Sequence, residues 1–217
     1  ATWTFANSQP FGIDARGLRI LIPATVNGVA GTFILDTGAS TILLTSDFAQ
    51  RAHVRRAESA GIAGIGGSTA AEEDIIDSLV VGGNTLSNVA VLSSNLGNDY
   101  RGLGGGENNN QRIDGLLGFD FLAGAIVRLN IGAGTMSILD PATTDLSGER
   151  GALLNVDLSS GQPMVPMTLD GSIGVNAILD SGAAGIVGYS RGFVEKHHIT
   201  IIREPAMIGG VGGGELT

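Results

Sequence analysis

The chain has no cysteine, which removes disulfides, zinc–thiolate centres and thiol nucleophiles together. Aromatic residues make up only 5% of its 217 positions and charged residues 15%. No stretch approaches the roughly 20 consecutive apolar residues that cross a bilayer as a helix, so no membrane span is expected in this chain. Positive charge is scarce: 12 Lys and Arg stand against 21 Asp and Glu, giving a net charge of −9. Binding a polyanion needs clustered Lys and Arg, and no such cluster occurs, so no nucleic-acid partner is expected. With 43% apolar residues the chain has the composition of a folded globule rather than of a disordered one. An oxidising compartment does no harm to a chain without thiols. Ala1 stands where an initiator Met would be, the mark of a processed or trimmed start. The placement expected from these two features is periplasmic or secreted, with a cytoplasmic one left open.

Glycine, in contrast, is abundant, at 35 residues. With so few aromatics this is the habit of an all-β protein rich in hairpins and tight backbone approaches, with one or two short helices. An apolar run, Arg19 to Val26, ends in Asn27-Gly28, a strong hairpin signal, and a return strand from Thr32 to Leu35 delivers Asp36. The second half repeats the plan. Pro166-Met167-Thr168-Leu169 ends in Asp170-Gly171, and a strand from Val175 to Leu179 delivers Asp180. After Asp36 come Thr41-Ile42-Leu43-Leu44 and a short amphipathic helix, Ser46 to His53, capped by Ser46. Gly185-Ile186-Val187-Gly188 and Ser190 to His197 follow Asp180 in the same order. Downstream of each lies a glycine cluster: Gly61-Ile62-Ala63-Gly64-Ile65-Gly66-Gly67 and Ile208-Gly209-Gly210-Val211-Gly212-Gly213-Gly214. Such clusters suit a mobile hairpin lying close to a ligand. Chance rarely duplicates a hairpin, an apolar triplet and an Asp-hydroxyl-Gly in order, so the chain is read as an internal repeat.

The first half continues through strands expected around Ile75 to Val81 and Val89 to Leu92, with Gly82-Gly83-Asn84 as a turn. The Gly- and Asn-rich stretch Ser93 to Gln111 is read as an exposed excursion. Ile113 to Leu122 returns to the core, and a hairpin around Gly132-Ala133-Gly134 closes the first half. The polar stretch from Asp140-Pro141 to Arg150-Gly151 divides the chain into residues 1–145 and 146–217.

Several residues have simpler readings. An Asp at the end of a strand is most often a turn former that caps its own backbone, and only the repeat lifts Asp36 and Asp180 above that. The glycine clusters open no helix with Lys-Ser/Thr, so phosphate binding is a poor fit. His53, His197 and His198 are too few and too ill-spaced for a metal site, and no metal or cofactor is expected. Glu72-Glu73-Asp74 reads as a solvated strand edge. Ser40 and Ser181 lack a nucleophile turn and a base.

Taken together, Asp36-Thr37-Gly38, Asp180-Ser181-Gly182, the two glycine-rich clusters and Leu116-Leu117-Gly118 resemble the aspartic protease superfamily, the pepsin and retropepsin clan. The resemblance covers roughly residues 19 to 139 and the first half of the second repeat. Ile208-Gly209-Gly210-Val211-Gly212-Gly213 is very close to the retroviral flap pattern, and Ala39 and Ala183 stand where pepsins usually carry Ser or Thr. The chain therefore resembles a bacterial single-chain tandem retropepsin-like protease. That resemblance implies two pseudo-symmetric acid-protease lobes with glycine-rich flap hairpins. A counterpart of Leu116-Leu117-Gly118 in the second repeat would fall beyond Thr217. The second lobe is accordingly expected to be incomplete in this chain, through truncation, processing or a missing tail, or with its strands supplied by another chain. The protein is then a monomer or a strand-exchanged homodimer.

The resemblance further implies that Asp36 and Asp180 form a dyad. Two carboxylates about 3 Å apart share one proton, aspartic proteases being the standard instance. One member takes a proton from a water while the other hydrogen-bonds the scissile carbonyl. Gly38 and Gly182 let the turn backbones approach the carboxylates, and the hydroxyls of Thr37 and Ser181 bond across to the opposite lobe. Ile62, Gly64, Ile65 and Gly66 in one flap, and Ile208, Gly209, Gly210 and Val211 in the other, would cover an extended peptide, with cleavage beside apolar residues. Losing the hydroxyl donor at Ala39 and Ala183 implies a higher dyad pKa and an optimum nearer mildly acidic or neutral pH. Three functions follow: an endopeptidase acting on protein or peptide, a noncatalytic peptide-binding module, or an inactive remnant assembled with a partner.

Overall fold

The computed structural model describes residues 1–15, 19–64, 67–95, 112–183 and 189–200. Its strands are β1 (Thr2–Thr4), β2 (Phe11–Gly12), β3 (Leu21–Val26), β4 (Val29–Leu35), β5 (Leu43–Thr45), β6 (Arg55–Gly64), β7 (Gly67–Val81) and β8 (Asn84–Ser94), then β9 (Gly115–Leu117), β10 (Ile126–Asn130), β11 (Thr135–Leu139), β12 (Met164–Leu169) and β13 (Ile173–Ile178). Among the described residues three short helices interrupt them: α1 (Ser46–Arg51), α2 (Phe119–Leu122) and α3 (Arg191–Lys196). The protein is all-β, as its glycine-rich, aromatic-poor composition predicts. The single-turn α2 is the helix beyond the expected one or two.

Six strands close into a barrel. In the order β8, β5, β9, β4, β3, β7 each pairs with the next, and β7 pairs back to β8. The β4–β9 and β5–β8 pairs are parallel and the rest antiparallel. Alternation along the strands sends one set of side chains inward, where Ile22, Phe33, Leu35, Ile42, Leu44, Phe48, Ile76, Leu79, Leu117 and Phe121 are buried. Phe33 and Phe48 meet edge to face with ring centroids 5.3 Å apart. A three-stranded sheet, β10-β11-β2, packs beside the barrel through Met136 and Ile138.

Local chemistry explains the turns. Asn27 and Gly28 adopt φ of 48° and 84°, the left-handed pair that a two-residue hairpin requires, and Val26 sits opposite Val29. In the second hairpin Leu169 pairs with Ile173, so Asp170-Gly171 is followed by a third turn residue, Ser172. The repeat is thereby one residue longer. Helix α1 is capped by the Thr45 hydroxyl, which accepts from Phe48 N at 3.2 Å, rather than by Ser46. Residue Ser46 already has helical geometry, and only the preceding, extended residue can aim a side chain back at the free N–H groups. Helix α3 is capped by Ser190, through Phe193 N at 3.2 Å.

Two further readings change. Asp74 is no solvated edge: it is 1% exposed and accepts the Ser93 hydroxyl at 2.5 Å. Strand alternation places it on the same face as the buried Ile76, with Glu73 pointing out. Ser93 and Ser94 are not part of an exposed excursion but buried residues at the end of β8. The rest of that stretch, from 96 onward to 111, lies outside the described residues.

The β6–β7 hairpin is long, pairing Arg55 with Ile75 and continuing to Gly64 opposite Gly67, with a bulge between Arg56 and Glu58. In the second half, β12 and β13 form a two-stranded sheet. The internal repeat is visible in the backbone bonds. Asp14 and Leu21 exchange bonds of 3.0 and 2.8 Å, and Asp157 and Met164 exchange bonds of 2.8 and 2.9 Å. Leu35 N donates to Ile20 O at 2.9 Å, and Leu179 N to Pro163 O at 2.8 Å.

Candidate active site

Each aspartate stands where a strand gives way to a tight turn. Asp36 leaves β4 with its own N–H still bonded to Leu117 O at 3.0 Å, so the barrel holds its backbone from the neighbouring strand. The turn then folds back, and Ala39 N donates to the Asp36 Oδ1 at 3.0 Å. At the second turn, Gly182 N and Ala183 N donate to Asp180 Oδ1 at 2.8 and 3.1 Å. A strand-terminal carboxylate that accepts the N–H groups of the turn beyond it is held by backbone donors.

The two turns are interlocked. Thr37 N donates to Ser181 Oγ at 3.1 Å, and Ser181 N to Thr37 Oγ1 at 3.0 Å. Each hydroxyl in turn donates to a strand carbonyl of the other half: Ser181 Oγ to Leu35 O at 2.8 Å, and Thr37 Oγ1 to Leu179 O. Every donor and acceptor of this four-bond lock has a mate in the opposite half. The side chains at 37 and 181 are thus taken up in the lock between the two halves.

Gly38 and Gly182 are glycine because of what faces them. A methyl group on Gly38 would run into the Asp180 carboxylate, and one on Gly182 into the Asp36 carboxylate. Asp36 is pushed up to about 6, first by burial, then by the negative charge of Asp180 and a hydrogen bond with the Asp180 side chain. The N–H groups of Ala39 and Gly38 oppose the rise. The structure therefore brings together Asp36, Thr37, Gly38, Asp180, Ser181 and Gly182, six residues that come from two sequence segments 144 positions apart.

Of the flap residues read from the sequence, Ile62 and Gly64 lie on β6, opposite Thr69 and Gly67. Ile65, Gly66, Ile208, Gly209, Gly210 and Val211 lie outside the described residues. His53 and His198 each follow a helix with φ near 50°, and the His197 ring packs on Phe193 at 4.5 Å.

Two residues at the site escaped the sequence reading. Arg19 Nε donates to Gly182 O at 3.0 Å, and Gln162 Nε2 donates to Gly38 O. Each stands two residues before the first strand of its hairpin, so they are counterparts in the repeat. Their differing chemistry hid the correspondence, and only an alignment of the halves on Leu21 and Met164 would have exposed it.

Residues 22–121 match the aspartyl protease family. The matched stretch runs from β3 to α2 and contains Asp36-Thr37-Gly38. No curated protein matches the chain. Among solved structures, it is similar to a retropepsin-like aspartic protease from Rickettsia conorii, with 23% identity and a TM-score of 0.42 over 64% of this chain and 94% of that one. It is also similar to the EIAV protease in complex with an inhibitor, at 20% identity and a TM-score of 0.36 over 48% of this chain and 85% of that one. The retroviral protease-like domain of Ddi1 from Leishmania major shares 15% identity, with a TM-score of 0.33 over 58% of this chain and 98% of that one.

Proposed function

We propose that this protein is an aspartic endopeptidase whose catalytic residues are Asp36 and Asp180. The observation that carries the reading is the reciprocal lock of Thr37 and Ser181, which sets two carboxylates of opposite halves against each other. In the working pair one carboxyl is ionised and the other protonated. The ionised member takes a proton from a water held between them as the water oxygen attacks the peptide carbonyl. The protonated member hydrogen-bonds the carbonyl oxygen and passes its proton on as the tetrahedral centre forms. Collapse breaks the C–N bond, the amine leaves with a proton, and the dyad is restored. No covalent enzyme intermediate is involved.

The substrate is an extended protein or peptide segment. The long β6–β7 hairpin supplies a strand edge for backbone hydrogen bonds, and cleavage is expected beside apolar side chains of the substrate. Thr37, Gly38, Ser181 and Gly182 support the turns. Cleavage of a denatured protein, blocked by a statine-type inhibitor, is the test. Asp36→Asn and Asp180→Asn are each expected to lower kcat about 10²- to 10⁴-fold with the fold intact. Because Asp36 is held near 6, the last shared proton is lost as the pH rises through that value, so the profile falls on its alkaline side and peaks in the mildly acidic to neutral range. A peak below about pH 3 overturns the assignment of the proton. Inhibitor or peptide binding without any hydrolysis would instead identify a noncatalytic peptide-binding module.

A further inference from the structure

Arg19 and Gln162 occupy equivalent positions in the two halves, and each reaches across to the peptide group that holds the opposite carboxylate. The peptide between Gly182 and Ala183 offers its C=O to Arg19 Nε at 3.0 Å and its N–H to Asp180 Oδ1 at 3.1 Å. The peptide between Gly38 and Ala39 offers its C=O to Gln162 Nε2 and its N–H to Asp36 Oδ1 at 3.0 Å. A peptide group is planar, with C=O and N–H pointing in opposite directions. Fixing the carbonyl therefore fixes the direction of the N–H. A donor on the carbonyl also polarises the group and strengthens its N–H as a donor.

The two relays are alike in geometry and unlike in charge. Arg19 is always protonated and makes a charge-assisted bond, about twice as strong as one from a neutral amide such as that of Gln162. We propose that Arg19 and Gln162 are positioning residues for the dyad, each acting through one turn peptide, and that the guanidinium of Arg19 makes Asp180 the ionised member and leaves the proton on Asp36. The inference rests on the proteolytic reading for its purpose but not for its measurement. The charge of Asp180 acting on Asp36, and the rise of Asp36 to about 6, agree with it.

Among the described residues, Asp14, Asp157 and Asp120 are further carboxylates that flank the turns. Asp14 and Asp157 are equivalent members of the two strand bridges, to Leu21 and Met164. Asp157 turns its carboxylate onto Ser159 N at 2.9 Å. Asp120, at the start of α2, accepts from Thr41 Oγ1 at 2.8 Å and Ile42 N at 3.3 Å, beyond the Asp36 turn.

The experiment follows the carboxyl 13C shifts of sequentially assigned Asp36 and Asp180 through a pH titration of the whole chain, which needs no turnover. In the unsubstituted protein the Asp180 carboxyl is expected to ionise first. Arg19→Gln should retain the fold, narrow the gap between the two carboxyls and raise the acidic limb of kcat/KM by about half a unit. Arg19→Lys should restore most of that shift. The exchanged pair, Arg19→Gln with Gln162→Arg, should reverse the order. The proposal is overturned if Asp36 ionises first, or if the gap is unmoved in a folded Arg19→Gln protein. Ordered ionisation at Asp180 in a protein that cleaves nothing would uphold it while removing the proteolytic reading.

Discussion

Burial is the larger cause of the raised proton affinity of Asp36, with the charge of Asp180 second, and this has a consequence for stability. A carboxyl at 3.8 in the unfolded chain and about 6 in the folded one binds more proton when folded. Stability therefore falls as the pH rises between those values, the opposite of a salt-bridged carboxylate. Replacing Asp36 by Asn removes the burden of burying the charge. The Asp36→Asn protein is expected to be more stable than the parent at neutral pH, by roughly 1–3 kcal/mol, with the advantage vanishing near pH 4. Thermal unfolding at the two pH values measures this; an advantage independent of pH would show that packing rather than charge is responsible. Asp36 and Asp180 were legible in the sequence because apolar triplet, Asp, hydroxyl and Gly recur in that order. Arg19 and Gln162 were not, since a repeat of position without a repeat of chemistry shows only when the halves are aligned on Leu21 and Met164.

Helices and hairpins were legible where a local interaction specifies them. Asn27-Gly28 and Asp170-Gly171 announce their turns because few other residues take left-handed φ without strain. The extra Ser172 in the second turn gave no signal, because a two-residue and a three-residue hairpin share the same leading dipeptide. The cap of α1 was displaced by one residue for a similar reason: Thr45 and Ser46 are both good capping types, and the choice depends on which of them β5 leaves extended. Thr45 has φ −69° and ψ 143° and its hydroxyl accepts Phe48 N. Thr45→Ala should cost about 1 kcal/mol and Ser46→Ala less than about 0.5 kcal/mol. Denaturant unfolding separates them, and a reversed order would return the cap to Ser46. The inward turn of Asp74 was missed because three acidic residues in a row look solvated, whereas strand alternation must send one of them inside, where Ser93 meets it.

The two halves differ in how they are supported. Leu35 inside the barrel and Ile34 on the opposite face of β4, packed with Leu21, Leu43, Ile113 and Leu116, are 1% and 2% exposed, whereas Ile178 and Leu179, which lead to Asp180 in the same way, are 44% and 53% exposed. The Asp180 turn therefore takes much of its definition from the Asp36 turn, through the four bonds of Thr37 and Ser181. Those bonds fall into two separate sets, one lost with each hydroxyl. If they acted independently, Thr37→Val and Ser181→Ala would add. They hold one rigid turn against another, however, so releasing either hydroxyl frees the register on which the other set depends. Each single change is expected to cost about 1–3 kcal/mol, and the double change less than their sum by more than about 0.5 kcal/mol. Urea unfolding of the four proteins closes this cycle, and strict additivity would mean that the turns touch without supporting each other. Under the proposed proteolytic mechanism, a carboxylate displaced with its turn loses alignment rather than substrate, so both variants should lower kcat far more than they raise KM.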